Sequence, residues 1–316
     1  MAPNDSYTHL SIHRSMLRDG VRNEAYREAI RRVVKPGDVV LDVGAGTGIL
    51  SMFAAQAGAR RVYAIERSGI APIARRIIRT NGMSDTIVVL HQDLEDVDLP
   101  EKVDVIVSEW MGGLGVDENM LAPVVMARNR WLKPGGTMVP ARVTAMLAPA
   151  WVDELDYALE HWRSRPHGLD LSDVAALTVH ESHMLQAEIA VDDLIAAPQA
   201  MWTHDAATCT LARADSESEA RLNFVATRTG RICALACWFH ADMAPGCSLT
   251  NEVGAPDTHW GRLLLPLMNA LEIREGQAIA VYVRCYPTAQ AGSEFQWTVS
   301  VDGGPVDRYD TTLPRG

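Results

Sequence analysis

The chain has 316 residues, 47% of them hydrophobic, and its 40 acidic against 29 basic side chains give a formal net charge of −11. That balance argues against nonspecific nucleic-acid binding, which needs a basic face to neutralise phosphates. No apolar run approaches the length of a membrane span, and Met1-Ala2-Pro3-Asn4-Asp5-Ser6 lacks a basic-then-apolar leader, so a cytoplasmic protein without a membrane partner is expected.

The length suits two compact modules, each with its own core. The five cysteines, Cys209, Cys233, Cys237, Cys247 and Cys285, have no metal-ligand spacing, and no metal site is expected. Nearly all the positive charge is arginine, with lysine only at 35, 102 and 133, a bias that suggests a GC-rich bacterial genome.

Taken in order, Met16, Leu17, Val21, Tyr26 and Ile30 recur at helical intervals and predict a helix over residues 12–32. Lys35-Pro36-Gly37-Asp38 ends it and launches a strand, Val39-Val40-Leu41-Asp42-Val43, which stops at Gly44, Gly46 and Gly48. A helical pattern follows (Leu50, Phe53, Ala54, Ala57), then a strand over 61–65 ending on Glu66. A helix over 73–78, strands over 86–90 and 103–107, and a helix over 119–131 ending before Lys133-Pro134-Gly135-Gly136 continue the alternation. Alternating strands and helices imply βαβ units on a parallel sheet. After Pro140 the pattern turns β-rich, with strands expected over 143–147, 209–211, 222–226, 231–239, 278–283 and 296–301, and a helical acidic insertion over about 153–194.

The glycine cluster carries chemistry. Strand, tight glycine turn and helix make a nucleotide-binding unit, and an acid about twenty residues on, Glu66, can accept both ribose hydroxyls of an adenosine. Dinucleotide oxidoreductases favour G-x-G-x-x-G, whereas this turn reads G-x-G-x-G with Asp42 ahead of it. A carboxylate there disfavours a pyrophosphate and suits a cationic or zwitterionic ligand such as S-adenosylmethionine. A methyltransferase, a dehydrogenase and a purely structural turn are all open at this point.

The strand over 103–107 delivers Ser108-Glu109-Trp110-Met111-Gly112-Gly113-Leu114-Gly115-Val116-Asp117-Glu118 to the same sheet edge. Three glycines between Glu109 and Glu118 suggest a loop that doubles back. Two carboxylates at close range repel unless a cation lies between them, and a guanidinium fits that gap bidentately.

With these blocks the chain resembles the protein arginine methyltransferase family over nearly its full length. The matching stretches are Ser6-Tyr7-Thr8-His9-Leu10-Ser11-Ile12-His13 through Asp19, the Val40–Ala55 glycine block, the double-glutamate loop and Thr258-His259-Trp260. The resemblance implies a Rossmann-like methyltransferase domain (residues 35–142, with N-terminal helices over 1–34). An antiparallel β-barrel domain over 143–316 would follow, with a helical arm near 153–194 that makes a head-to-tail homodimer. It implies that S-adenosyl-L-methionine is held by His13, Arg22, Asp42, Gly44, Gly46, Glu66, Leu94 and Glu95. Glu109 and Glu118 would clamp the acceptor guanidinium, His259 with Asp19 would carry away a proton, and Tyr7, Met16 and Trp260 would border the acceptor.

The family loop normally has an aromatic residue where Gly113 stands and more before the second glutamate, and the matching N-terminal block starts near the first residue. These departures make free L-arginine or a small guanidino compound the first expected substrate. A bacterial biosynthetic enzyme, as in the streptozotocin pathway, would fit. A protein or peptide arginine is the alternative, and a nicotinamide-dependent oxidoreductase the remote one.

Overall fold

The computed structural model describes residues 8–186, 188–288 and 292–312. Tyr7, an expected acceptor contact, lies outside them. The first half is a parallel sheet of β1 (Val39–Val43), β2 (Arg61–Ile65), β3 (Ile87–Leu90), β4 (Val103–Ser108) and β5 (Leu132–Val139), in the order β3-β2-β1-β4-β5. Its helices are α1 (Leu10–Arg18), α2 (Gly20–Val33), α3 (Ile49–Gln56), α4 (Ala71–Thr80) and α5 (Leu121–Trp131). Every residue of β1 is buried, as a strand covered on both faces requires. The strand order reverses at β1, so the crevice beyond the carboxyl ends of β1 and β4 is where such a sheet takes a ligand. Val43 is in register with Ser108, which brings the glycine turn and the double-glutamate loop to that one crevice.

The second half is antiparallel. β6 (Arg142–Ala150), β7 (His183–Leu185), β8 (Gln199–Asp205), β10 (Gly230–Ala244) and β12 (Arg262–Ile273) pair in the order β7-β12-β10-β6-β8, with β11 (Cys247–Thr250) on β10. The other sheet runs β15-β14-β13-β9, from β9 (Ser218–Val225), β13 (Ala278–Pro287), β14 (Ser293–Val301) and β15 (Asp307–Asp310). The two sheets enclose one apolar core that includes Leu147, Phe224, Leu235, Leu265, Phe295 and Trp297, a barrel-like arrangement. Helices α6 (Asp153–Arg163), α7 (Ser172–Thr178) and α8 (Leu211–Ala214) complete the described α-helices. Among the described residues no helix is long and apolar enough to cross a membrane.

Three local expectations are corrected. The helix over 12–32 is two helices, because Asp19 takes an extended conformation and accepts a hydrogen bond from the Arg22 N–H as the N-cap of α2. The helix ends before Lys133 as expected, and Lys133–Gly136 bulges within β5, an edge strand that tolerates Pro134. Residues 209–211 form no strand, since the Thr210 hydroxyl caps α8 by accepting from the Arg213 N–H. The insertion over 153–194 is α-helical only in α6 and α7, and it contributes β7 to the edge of β12.

Candidate active site

Gly44, Gly46 and Gly48 all adopt positive φ (73°, 55° and 84°), backbone that an L side chain rarely takes up. The Gly44 and Ala45 N–H groups donate to the Ile65 carbonyl at 3.0 and 2.9 Å, locking the turn against β2. Glu66 then closes it: its carboxylate accepts from the Gly46 N–H at 2.8 Å and from the Ser68 N–H at 2.7 Å. Each oxygen keeps a lone pair for a further donor, as a ribose would require. A Cβ on Gly46 would lie 3.3 Å from the imidazole of His13, which is buried on α1. Leu94 is buried and Glu95 exposed in a single helical turn that Arg130 secures by donating to the Leu94, Glu95 and Val97 carbonyls. Nothing in the sequence marked Arg130.

Asp42 is fully buried at the end of β1. One oxygen accepts from the Ser51 hydroxyl at 2.6 Å and the other has no partner. Burial, reinforced by the charge of Glu66, pushes its carboxyl up to about 7 despite the Ser51 hydrogen bonds and the nearby Arg22. Arg22 is buried as well. One of its amino groups reaches Glu109 at 3.4 Å, the other donates to Asn23 at 2.8 Å, and its Nε has no partner. An unpartnered cationic donor and an unpartnered acidic acceptor in one crevice suit a ligand carrying both a carboxylate and a cation.

Glu109 is held by the Met111 N–H at 3.0 Å. Burial drives the Tyr26 hydroxyl well above its ordinary range, and the charges of Glu109, Asp42 and Glu118 push the same way while Arg22 opposes. The charges of both loop carboxylates are therefore felt at Tyr26. His259 donates from Nδ1 to Asp19 at 2.8 Å, and its backbone N–H reaches the same oxygen at 2.7 Å. Burial raises the Asp19 carboxyl, but hydrogen bonds from His259 and the Arg22 N–H outweigh it and hold the group below its usual value. Met16 is half-buried on α1, just before the Asp19 break.

The double-glutamate loop is shaped from outside. Trp260 is buried, donates to the Met111 carbonyl at 2.8 Å and packs edge-on against Phe239. Asn251 accepts from the Phe239 N–H and donates to the carbonyls of Gly113 and Gly261. Within the loop, Asp117 accepts from the Leu114 N–H at 2.8 Å, and a Cβ on Gly112 would stand 2.3 Å from its carboxylate. A Cβ on Gly113 would meet the Met184 sulfur at 2.2 Å, so this β7 side chain fills the space that the missing side chain leaves. The sequence disclosed neither Asn251 nor Met184, because one follows and the other lies on a strand more than sixty residues downstream whose pairing only the fold reveals. Replacing Asn251 with Ala strands two carbonyls and an N–H, and is expected to lower unfolding free energy by about 3 kcal/mol or more, read as a shift in urea midpoint.

Residues 27–139 match the family described as ribosomal protein L11 methyltransferase, and residues 143–301 match the arginine methyltransferase oligomerization subdomain. A probable protein arginine N-methyltransferase 6 from Arabidopsis thaliana is 40% identical over 87% of this chain and 72% of its own. Protein arginine N-methyltransferase 6 from Danio rerio is 36% identical over 90% of this chain and 84% of its own. The chain belongs to the protein arginine methyltransferase family. A Trypanosoma brucei PRMT1 enzyme–prozyme complex with AdoHcy superposes on this arginine methyltransferase with a TM-score of 0.86, at 32% identity, covering 96% of this chain and 98% of that one. The cofactor is S-adenosylmethionine, and the buried Arg22, the open Asp42 oxygen and the glycine cradle fit it. The dehydrogenase reading falls with this assignment.

Proposed function

We propose that this arginine methyltransferase modifies the guanidino group of arginine in a protein or peptide, and that it works as a homodimer. The observation that carries the acceptor class is the relatedness to enzymes named protein arginine N-methyltransferases over 87–90% of the chain. The relatives come from a plant and a fish, and the expectation of a bacterial free-arginine enzyme gains no support from them. The match of residues 143–301 to an oligomerization subdomain supports self-association, as do exposed apolar side chains on α6 (Tyr157) and on α1 (Leu10, Leu17).

The bound cofactor supplies an electrophilic sulfonium methyl group. Arg22 and Glu66 would hold its amino-acid and ribose ends, and the open Asp42 oxygen would offset its positive charge. Glu109 and Glu118 pair with the acceptor guanidinium and draw positive charge toward two of its nitrogens, leaving the third with more lone-pair character. They also align that nitrogen for in-line attack. A guanidino nitrogen that has taken up a methyl group must lose a proton. Asp19, held ionised, can only accept, so Nδ1 of His259 carries a hydrogen, and a neutral imidazole there offers Nε2 as the base.

Mass spectrometry of products from labelled S-adenosylmethionine, with an arginine-rich peptide and free L-arginine offered side by side, tests the reading. Label on peptide guanidino nitrogens is the expected result. The Gly113–Asp117 segment is the feature that favours a small acceptor, and label confined to free L-arginine would overturn the proposal.

A further inference from the structure

The loop that carries the two glutamates borders a second polar site. Arg262 opens β12, directly after Trp260 and Gly261, and its side chain is only 8% exposed. One amino group donates to the Glu252 carbonyl at 3.0 Å, the other lies 4.0 Å from the exposed carboxylate of Asp257, and Nε has no partner. The hydroxyl of Thr258, on a residue also 8% exposed, has none either. Both side chains line one cavity with Gln186, Asn251, Asp257 and Gly261, about 190 Å³ of empty space including its mouth. Gln186 and Asp257 are exposed and form the rim.

A buried guanidinium without a close counter-charge is costly, and the solvated Asp257, at 4.0 Å, offsets little of that. Burial accordingly lowers the Arg262 pKa. The Arg262 Nε–H and the Thr258 hydroxyl are closed to solvent at rest, on side chains that line one space; unpartnered donors of that kind are complementary to an oxyanion, and a planar carboxylate suits so small an opening better than a phosphate. The position matters too. Asn251 donates to both Gly113 and Gly261, and the Leu263 N–H lies 3.8 Å from where a Gly113 Cβ would stand, so one side chain separates this cavity from the acceptor loop.

We infer that Arg262 and Thr258 form a carboxylate subsite that selects acceptors carrying an acid near the methylated arginine. The inference rests on the acceptor being an arginine compound. The carboxylate has two sources, an acidic side chain of a peptide or the α-carboxylate of free arginine, and the test separates them. One arm walks a single glutamate through the positions flanking arginine in a peptide, against glutamine counterparts. The other compares L-arginine with L-argininamide.

In the native protein, the carboxylate member of one pair is expected to have a kcat/KM about tenfold higher. Arg262→Gln should bring that ratio close to one, and Arg262→Lys, which keeps the charge, should restore part of it. Asp257→Asn, which removes the competing rim carboxylate, should raise the ratio. No preference in the native protein, or an equal loss for both members in Arg262→Gln, overturns the subsite and leaves Arg262 a packing residue. If no acceptor is methylated, the functional reading fails. Fluorescence anisotropy of the same labelled peptides then decides the subsite alone, by whether the glutamate peptide binds more tightly and loses that advantage in Arg262→Gln.

Discussion

Glu109→Gln is expected to lower kcat on an arginine peptide by on the order of 10³, with the dissociation constant for S-adenosylmethionine changed by less than about threefold. The substitution keeps shape and one contact, because a carboxamide oxygen can still accept from the Met111 N–H. What it removes is charge, the property that draws the acceptor's positive charge away from the attacking nitrogen. It also removes the anion next to the buried Arg22, so the variant should melt earlier than the native protein in the absence of cofactor. Single-turnover rates and calorimetric cofactor titration check the two halves separately. A rate within tenfold of native would mean that Glu109 only positions Arg22.

Cofactor affinity is expected to rise with pH through the neutral range, under the control of Asp42. Its carboxyl is pushed up to about 7 in the free protein, so it is mostly protonated at pH 6 and mostly ionised at pH 8. A cationic ligand binds the ionised form, and a group titrating near 7 then gives about a tenfold tighter apparent dissociation constant between those two values. Stability of the free protein runs the other way. The folded chain holds a proton that the unfolded chain releases near its ordinary carboxyl value, so unfolding free energy falls as pH rises from about 4 to about 7. Asp42→Asn should flatten both profiles. Calorimetric titrations and urea melts across this range measure them, and an affinity that stays level from pH 6 to 8 in the native protein would remove Asp42 from the ligand's charge balance.

The parallel sheet was legible because its strands are short β-branched runs, buried on both faces and punctuated by glycine. Asp42, the glycine turn and Glu66 were legible because their chemistry is local: the turn and the acid that closes it lie on consecutive strands. Glu109 and Glu118 were readable as a pair since one loop holds both. Asp19 was named, but the break it makes was not, because apolar spacing stays helical on both sides of it. The shortfall lies where a segment owes its conformation to a distant partner. Lys133–Gly136 ends the helix as it reads, but that it bulges within a strand is set by β4, which pairs with the residues on either side, and the segment around Gly113 reads as open because Met184 arrives from a strand whose register no local pattern records.

The loop bearing Glu109 and Glu118 belongs by sequence to the first half, yet Trp260, Asn251, Phe239 and Met184 of the second half hold it in place. The first half alone also matches a methyltransferase family of a different description. Inheritance in this molecule is therefore divided unevenly. The sheet resembles one described for another methyltransferase family, while the double-glutamate loop takes its shape from the later β-strands. Descendants could change what they methylate by altering residues that never approach the reagent.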